Sequence, residues 1–271
     1  MNILVTLDSN YVFPLTVLLK SLMITNSESE FDIYVAHSSL TEEDFEKIKS
    51  AVDLSRTRIH PILVSAGILE NAPVLKRITK ETYYRLLMTD YLPQNVDRIL
   101  YIDPDTVVLR DISPLYNIDF KGRTIAAAGH TKLFIEDLNH LRFRTGKESR
   151  YFNAGVMMVN LQKMRKNVTG EMIFSYVKKN RRWLFLADQD VLNGLFGNDM
   201  IPVDECIWNL DEKTVIYNRR RVKDLKWVEE NTAIVHFNGK YKPWKDGYKG
   251  MLAPLWFRFR DAELSPEKVR K

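Results

Sequence analysis

The stretch RILYIDPDTVVL, residues 98–109, decides the fold. Its apolar run from Ile99 to Ile102 reads as a buried strand that ends directly on Asp103 and Asp105, with Pro104 between them. Charge held out of water without a partner is costly, so something is expected to neutralise this pair. On an extended chain, side chains two apart share a face, and both carboxylates are expected to aim at one point. Pro104 has no N–H to donate, which suits the place where a strand leaves its sheet.

Working outward, strand-like and helix-like segments alternate. Asn2 to Leu7 is a short apolar run ending in Asp8-Ser9-Asn10. Val12 to Ile24 carries apolar residues at helical spacing, with Pro14 in the first turn. Phe31–Ala36 and Ile59–Val64 read as strands, and Thr41 followed by Glu42, Glu43 and Asp44 reads as a capped helix start. Thr79 to Leu92 reads as one helix closed by Pro93. Downstream, Ile125–Ala128, Ala154–Val159 and Ala233–Phe237 read as strands, and Thr169–Asn180 and Asp188–Leu195 as helices. The alternation predicts an α/β fold with a Rossmann-like, mostly parallel central sheet flanked by helices. No Gly/Ser-rich linker separates the two halves, so they are expected to share one sheet.

Composition narrows the function. The 271 residues are 45% hydrophobic and 28% charged, ordinary for a folded soluble protein. No apolar run is long enough to span a bilayer. The start lacks a signal-peptide pattern, and the one cysteine, Cys206, rules out an internal disulfide. A reducing, cytoplasmic location is therefore expected, and the sequon Asn167-Val168-Thr169 is read as unused. A net charge of +5 and a pI near 9.1 point to an anionic partner: nucleotide phosphates, nucleic acid or an acidic membrane surface.

Five constellations could carry chemistry. In an open α/β sheet, ligands sit beyond the carboxyl ends of the strands. Asp103 and Asp105 there suit a hard divalent cation, Mg²⁺ or Mn²⁺, that bridges to substrate phosphates. Asp8-Ser9-Asn10 occupies the corresponding end of the first strand. His236 ends the late apolar strand and offers a third metal ligand from far along the chain. After it, Gly239 would let a phosphate approach the backbone closely, and Lys242 would supply charge. Tyr151-Phe152-Asn153-Ala154-Gly155 and Ala187-Asp188-Gln189-Asp190 set amide and acid groups beside apolar segments, which suits sugar hydroxyls.

Taken together and in this order, YIDPDTVV, YFNAGVMMVN, ADQDVLN and HFNGKYKPW, with Asp8 and Asn10 at the first strand, resemble glycosyltransferase family 8. The resemblance runs from Asn2 to about Trp256. It implies a GT-A fold and a metal-dependent, retaining transfer of glucose or galactose from a UDP-hexose donor to a saccharide or lipid-linked saccharide acceptor. It implies Asp103, Asp105 and His236 as Mn²⁺ ligands, with Mg²⁺ as the other choice. Asp8 and Asn10 are similar to uridine and ribose contacts, Gly239 and Lys242 to the diphosphate-binding pair, and Arg85 to a basic donor contact. Asn153, Asp188 and Gln189 resemble the residues around the donor sugar, with Asp188 and Gln189 as the candidate catalytic pair. On this basis residues 1–250 form the GT-A domain, with a nucleotide-binding half at 1–110 and a sugar/acceptor half at 111–250. One departure is His130, where related galactosyltransferases place an aspartate, so the transferred hexose stays open between glucose and galactose.

Residues 251–271 form a basic, aromatic tail, and the wider stretch Lys240–Arg260 interleaves lysines and arginines with Trp244, Tyr248, Trp256, Phe257 and Phe259. It reads either as an attachment to an anionic membrane at the inner face or as a segment that packs its aromatics on the core. Two rival functions remain. Asp103-Pro104-Asp105-Thr106 also fits the nucleophile motif of a haloacid-dehalogenase-like phosphatase, although that motif ordinarily opens its domain. A non-catalytic UDP-sugar-binding protein is the other. Nucleic acid is not an expected partner, since no reading motif appears.

Overall fold

The computed structural model describes residues 1–70, 72–73, 82–129, 151–185 and 187–264. Strands β1 (Asn2–Thr6), β2 (Phe31–His37), β3 (Thr57–Leu63), β4 (Arg98–Ile102), β6 (Ile125–Gly129), β7 (Phe152–Asn160) and β8 (Met200–Val203) form one sheet in the order β3-β2-β1-β4-β7-β6-β8. β7 alone runs against its neighbours, and the other pairings are parallel. The sheet is thus mostly parallel and spans both halves of the chain, as the alternation predicted. Its inner strands β1, β4, β6 and β7 are mostly apolar and buried because both faces are covered there, whereas the edge strand β3 is partly exposed. Leu4, Tyr34, Ile99, Tyr101 and Met157 enter the core on one face, while Ile3, Val5, Ile33, Leu100 and Met158 enter the core on the other.

Between β4 and β6 lies β5 (Thr106–Val108), which pairs antiparallel with β9 (Ile234–His236) in a separate two-stranded sheet. The late apolar strand therefore stands outside the main sheet. A third core surrounds it, containing Val107, Leu210, Val235 and Phe237. The helix Val12–Thr25 joins the large and small sheets: Leu15, Leu18 and Leu22 face the second core and Val17 the third. At its buried Ser21, the hydroxyl accepts a 2.8 Å hydrogen bond from the Val108 N–H and donates to the Leu18 carbonyl at 2.6 Å. A helix side chain thereby satisfies a donor on the free edge of β5, which would otherwise be buried without a partner.

Other expectations are corrected in detail. The Thr79–Leu92 segment is not one helix: its described part is Thr82–Leu86 and Met88–Tyr91, parted by a turn at Leu87, and residues 79–81 lie outside the described residues. The Tyr91 hydroxyl there donates to the Tyr84 carbonyl at 2.7 Å. The Thr41 helix start has the expected capping box with Asp44. His130, the departure from the family pattern, lies outside the described residues. In the tail, Leu252, Leu255, Trp256 and Phe259 are buried in the third core, and the helix Ala253–Arg260 lies along Val12–Thr25. Those aromatics pack inward, so of the two readings for this helix, packing describes it. Residues 265–271 lie outside the described residues. Among the described residues, no helix is long and apolar enough to cross a membrane.

Replacing Ser21 by Ala leaves the buried Val108 N–H without its acceptor. It is expected to destabilise by about 1–3 kcal/mol, seen as a thermal midpoint lowered by roughly 2–4 °C per kcal/mol. A midpoint equal to that of the parent chain would show that Ser21 does not tie the small sheet to the helix.

Candidate functional site

Strand order reverses between β1 and β4, and in a sheet of this kind the crevice that takes a ligand lies at the carboxyl ends of the strands there. Asp8 follows β1 and Asp103 follows β4, so both stand at this crevice. β7 begins at the same end because it runs the other way, which brings Asn153 and Gly155 alongside.

Asp103-Pro104-Asp105 is a turn between the two sheets rather than an extended strand end. The extended-chain rule therefore does not bring the two carboxylates together. The turn is closed by the Thr106 hydroxyl, which donates to the Asp103 carbonyl at 2.9 Å. The Asp103 N–H donates to the Gly155 carbonyl at 2.8 Å, and the Phe237 N–H donates to the Asp105 carbonyl at 2.9 Å. The register of the small sheet sets Thr106 opposite His236. Asp105 thus arrives beside an imidazole more than a hundred residues away in sequence.

His236 Nε2 lies 3.1 Å from Asp105 Oδ1 and 3.6 Å from Asp103 Oδ2. One ligand atom from each of Asp103, Asp105 and His236 lies within 4.8 Å of the other two. The other imidazole nitrogen, Nδ1, is 2.9 Å from the buried Asn209 Oδ1. With the Nδ1 proton donated to Asn209, Nε2 is the nitrogen that would give its lone pair to a cation seated between the carboxylates, as a metal ligand requires. Two carboxylates and one such imidazole, all largely buried, fit a divalent cation of the Mn²⁺ or Mg²⁺ kind. Gly155 makes room for the approach: a Cβ there would lie 2.1 Å from His236 Cε1 and 2.8 Å from Asp103 Oδ2.

Cations surround the cluster. Lys242 Nζ is 2.7 Å from Asp105 Oδ2 and donates to the Phe237 carbonyl at 2.8 Å. Burial alone would push the Asp105 carboxyl up, but His236 and Lys242 outweigh it and hold it well below the usual carboxylate range. For His236, burial pushes down, yet Asp105 and Asp103 prevail and raise the imidazole. On the other side, Arg85 from the helix Thr82–Leu86 reaches Asp103 Oδ1 at 3.0 Å and Asp188 Oδ2 at 2.7 Å. Its guanidinium stacks 4.8 Å above the Tyr101 ring, whose hydroxyl donates to Asp103 Oδ1 at 2.6 Å. Burial, reinforced by Asp103 and only partly opposed by Arg85, raises the Asp188 carboxyl.

The predicted residues thus divide. Asp103, Asp105, His236, Lys242, Arg85 and Asp188 form one connected constellation. Asn153 turns its side chain to its own strand and accepts from the Gly155 N–H at 2.8 Å. Asp8 accepts from the Asn10 N–H at 2.8 Å and caps the short turn Ser9–Tyr11, while Asn10 is exposed. Gln189 sits beside Asp188 on the helix Ala187–Phe196, and its backbone carbonyl accepts from the Asn193 amide at 2.7 Å. At Gly239, an added Cβ would meet only the Tyr241 carbonyl among the described residues, at 3.8 Å. Nothing among the described residues demands glycine at that position. Asp190 is fully buried, with the Tyr151 hydroxyl at 2.5 Å and the Phe185 N–H as partners.

Four contributors escape sequence reasoning. Tyr101 lies two residues before Asp103, so proximity could have flagged it. Tyr11 follows Asp8-Ser9-Asn10, and burial, then Asp105, Asp103 and Asp8, raise its hydroxyl. Asn209 and Asp211 carry no local signal. Asp211 accepts from the Asn238 amide at 2.8 Å and so steadies the turn after His236.

The chain matches the profile of glycosyl transferase family 8 over residues 2–247. It is 28% identical to General stress protein A of Bacillus subtilis, over 96% of this chain and 92% of that protein. It is 27% identical to a lipopolysaccharide 1,3-galactosyltransferase of Salmonella typhimurium, over 90% of this chain and 72% of that protein. Among solved structures it is similar to the galactosyltransferase LgtC in complex with donor and acceptor sugar analogs, with a TM-score of 0.83 and 25% identity over 100% of this chain and 99% of that one. The phosphatase reading of Asp103-Pro104-Asp105-Thr106 is not favoured by this match. A family profile satisfied from Asn2 to Gly247, over a mostly parallel sheet with the carboxylate cluster at its switch point, places the chain in glycosyl transferase family 8, as a glycosyltransferase with the GT-A fold.

Proposed function

We propose that the protein transfers a hexose, glucose or galactose, from a UDP-sugar to a saccharide acceptor, with retention at the anomeric carbon and a divalent cation, Mn²⁺ or Mg²⁺, held by Asp103, Asp105 and His236. The observation that carries this reading is the convergence of those three side chains at the β1/β4 crevice of a family 8 chain. A cation bound there supplies positive charge to the departing diphosphate. Lys242, at the edge of the cluster, adds its own charge to the same leaving group, and Gly239 leaves its backbone open to a phosphate. Asp8 and Asn10, at the end of β1, are the proposed contacts to uridine and ribose.

Arg85 and Asp103 together would hold Asp188 against the donor sugar, with Asn153 on the neighbouring strand. Asp188 and Gln189 are the proposed groups facing the positive charge that develops at the anomeric carbon. Same-face attack by the acceptor is favoured over a double displacement. A displacement needs an uncommitted carboxylate, whereas Asp188 is paired with Arg85 and Asp190 is sealed in the core.

Asp103→Asn and Asp105→Asn are each expected to cut cation-dependent UDP-sugar hydrolysis by about a hundredfold, some 3 kcal/mol of lost leaving-group stabilisation. Asn209→Ala is expected to weaken Mn²⁺ binding about 10–100-fold in a calorimetric titration while the fold persists. Unchanged cation affinity in all three variants would refute the assignment. Gly239→Ala is expected to leave the thermal midpoint unaltered but weaken UDP binding; loss of stability instead would make Gly239 a structural residue only. Incubation with a fluorinated UDP-hexose followed by mass spectrometry is expected to leave the protein at its native mass. A sugar adduct on Asp188 or Asp190 would establish the double displacement.

A further inference from the structure

The charge of this chain is unevenly placed. Between Lys213 and Lys226 there are six basic residues and one acid, Asp224, a net of +5 that equals the excess of the whole chain. Asp224 is occupied as the N-cap of the helix Leu225–Asn231. Arg221 is neutralised by Asp204 through contacts of 3.0 and 2.5 Å, and Lys226 lies 3.8 Å from Glu230. Lys213, Arg219, Arg220 and Lys223 are exposed and form no ion pair among the described residues. Between Lys213 and Arg219 in the chain stand two of the most exposed large apolar side chains among the described residues, Ile216 at 67% and Tyr217 at 57%. Both close the helix Glu212–Tyr217, whose other face is buried through Thr214 and Val215.

Glu212, the first residue of that helix, links this surface to the loop after His236. Its carboxylate accepts from the Tyr248 hydroxyl and the Leu252 N–H, both at 2.9 Å. That loop carries a second exposed aromatic residue among lysines, Tyr241 at 65%. One residue before Glu212, Asp211 is bonded to Asn238. The surface therefore adjoins the segment that carries His236 and Lys242.

From these features we infer that the surface built by Lys213–Lys226 docks on an anionic lipid bilayer, with Ile216 and Tyr217 entering the headgroup boundary. Exposed apolar tips ringed by uncompensated cations match such a bilayer in both respects: the cations meet acidic headgroups and the tips leave water. A nucleic acid would use the cations but offers no apolar layer for Ile216. The assignment differs from an attachment through the tail helix, whose Trp256 and Phe259 are buried. Docking here would bring the β1/β4 crevice to the membrane, where a lipid-linked acceptor lies.

The test is co-sedimentation of the full chain with phosphatidylglycerol–phosphatidylcholine vesicles and with phosphatidylcholine vesicles alone. The parent chain is expected to sediment with the anionic vesicles only, and less as salt rises. The variant R219Q/R220Q/K223Q is expected to lose on the order of a hundredfold in partitioning, about fivefold for each cation removed. I216S/Y217S is expected to lose about tenfold or more on the same vesicles while retaining binding to a polyanion such as heparin. Soluble UDP-sugar hydrolysis stays at the parent level in both variants, so this proposal and the transferase reading fail separately. Undiminished vesicle binding by either variant overturns the proposal. So does binding to single-stranded nucleic acid without any binding to vesicles.

Discussion

The contact between His236 and the two carboxylates of Asp103 and Asp105 is the constraint around which the molecule is arranged. It joins a seven-stranded sheet to a two-stranded one through a turn of three residues. The turn cannot reach His236 unless β5 pairs with β9 in the observed register, and β5 keeps its place because Ser21 satisfies its outer edge. Gly155 must lack a side chain, or the imidazole and Asp103 would be forced apart. Main-sheet register, small-sheet register and the long first helix thus all meet at one imidazole.

Burying several charges together is expensive, and a charge left without a partner is the costliest case. The protein meets this with alternating signs. Lys242 faces Asp105, His236 faces both aspartates, and Arg85 lies between Asp103 and Asp188. Asp105 is held ionised by these neighbours despite its burial, which is the state that a cation ligand needs. The same network commits Asp188, while Asp190 is buried with the Tyr151 hydroxyl and the Phe185 N–H as partners, so acids two residues apart differ sharply in what they can reach.

The tail illustrates how composition misleads without packing. Lys240–Arg260 has the basic-aromatic pattern of an interfacial segment, yet Leu252, Trp256 and Phe259 complete the third core against Val107 and Val235. Trp256 continues into a run of ring contacts through Trp244 to Tyr11, at 5.8 and 6.0 Å, ending beside the carboxylate cluster. Exposed cations are instead gathered around Ile216 and Tyr217, residues that no periodicity singled out.

Local pattern was enough for much of this molecule. Continuous apolar strands alternating with amphipathic helices determined an α/β protein with a mostly parallel sheet, and the capping box at Thr41 set a helix start to the residue. Motif order alone brought Asp103, Asp105, His236, Gly239 and Lys242 into one family pattern. These are readable because strand burial and helix capping are decided by residues a few positions apart. What the tertiary structure alone decided depends on distant partners. It set β9 outside the main sheet, replaced an extended pair of aspartates by a turn, and broke the Thr79–Leu92 helix at Leu87. It also brought Asn209 to the far side of His236, where no sequence signal pointed. Register between strands more than a hundred residues apart is set by the packing of the whole core, and the position of a single hydrogen-bond acceptor follows from that register.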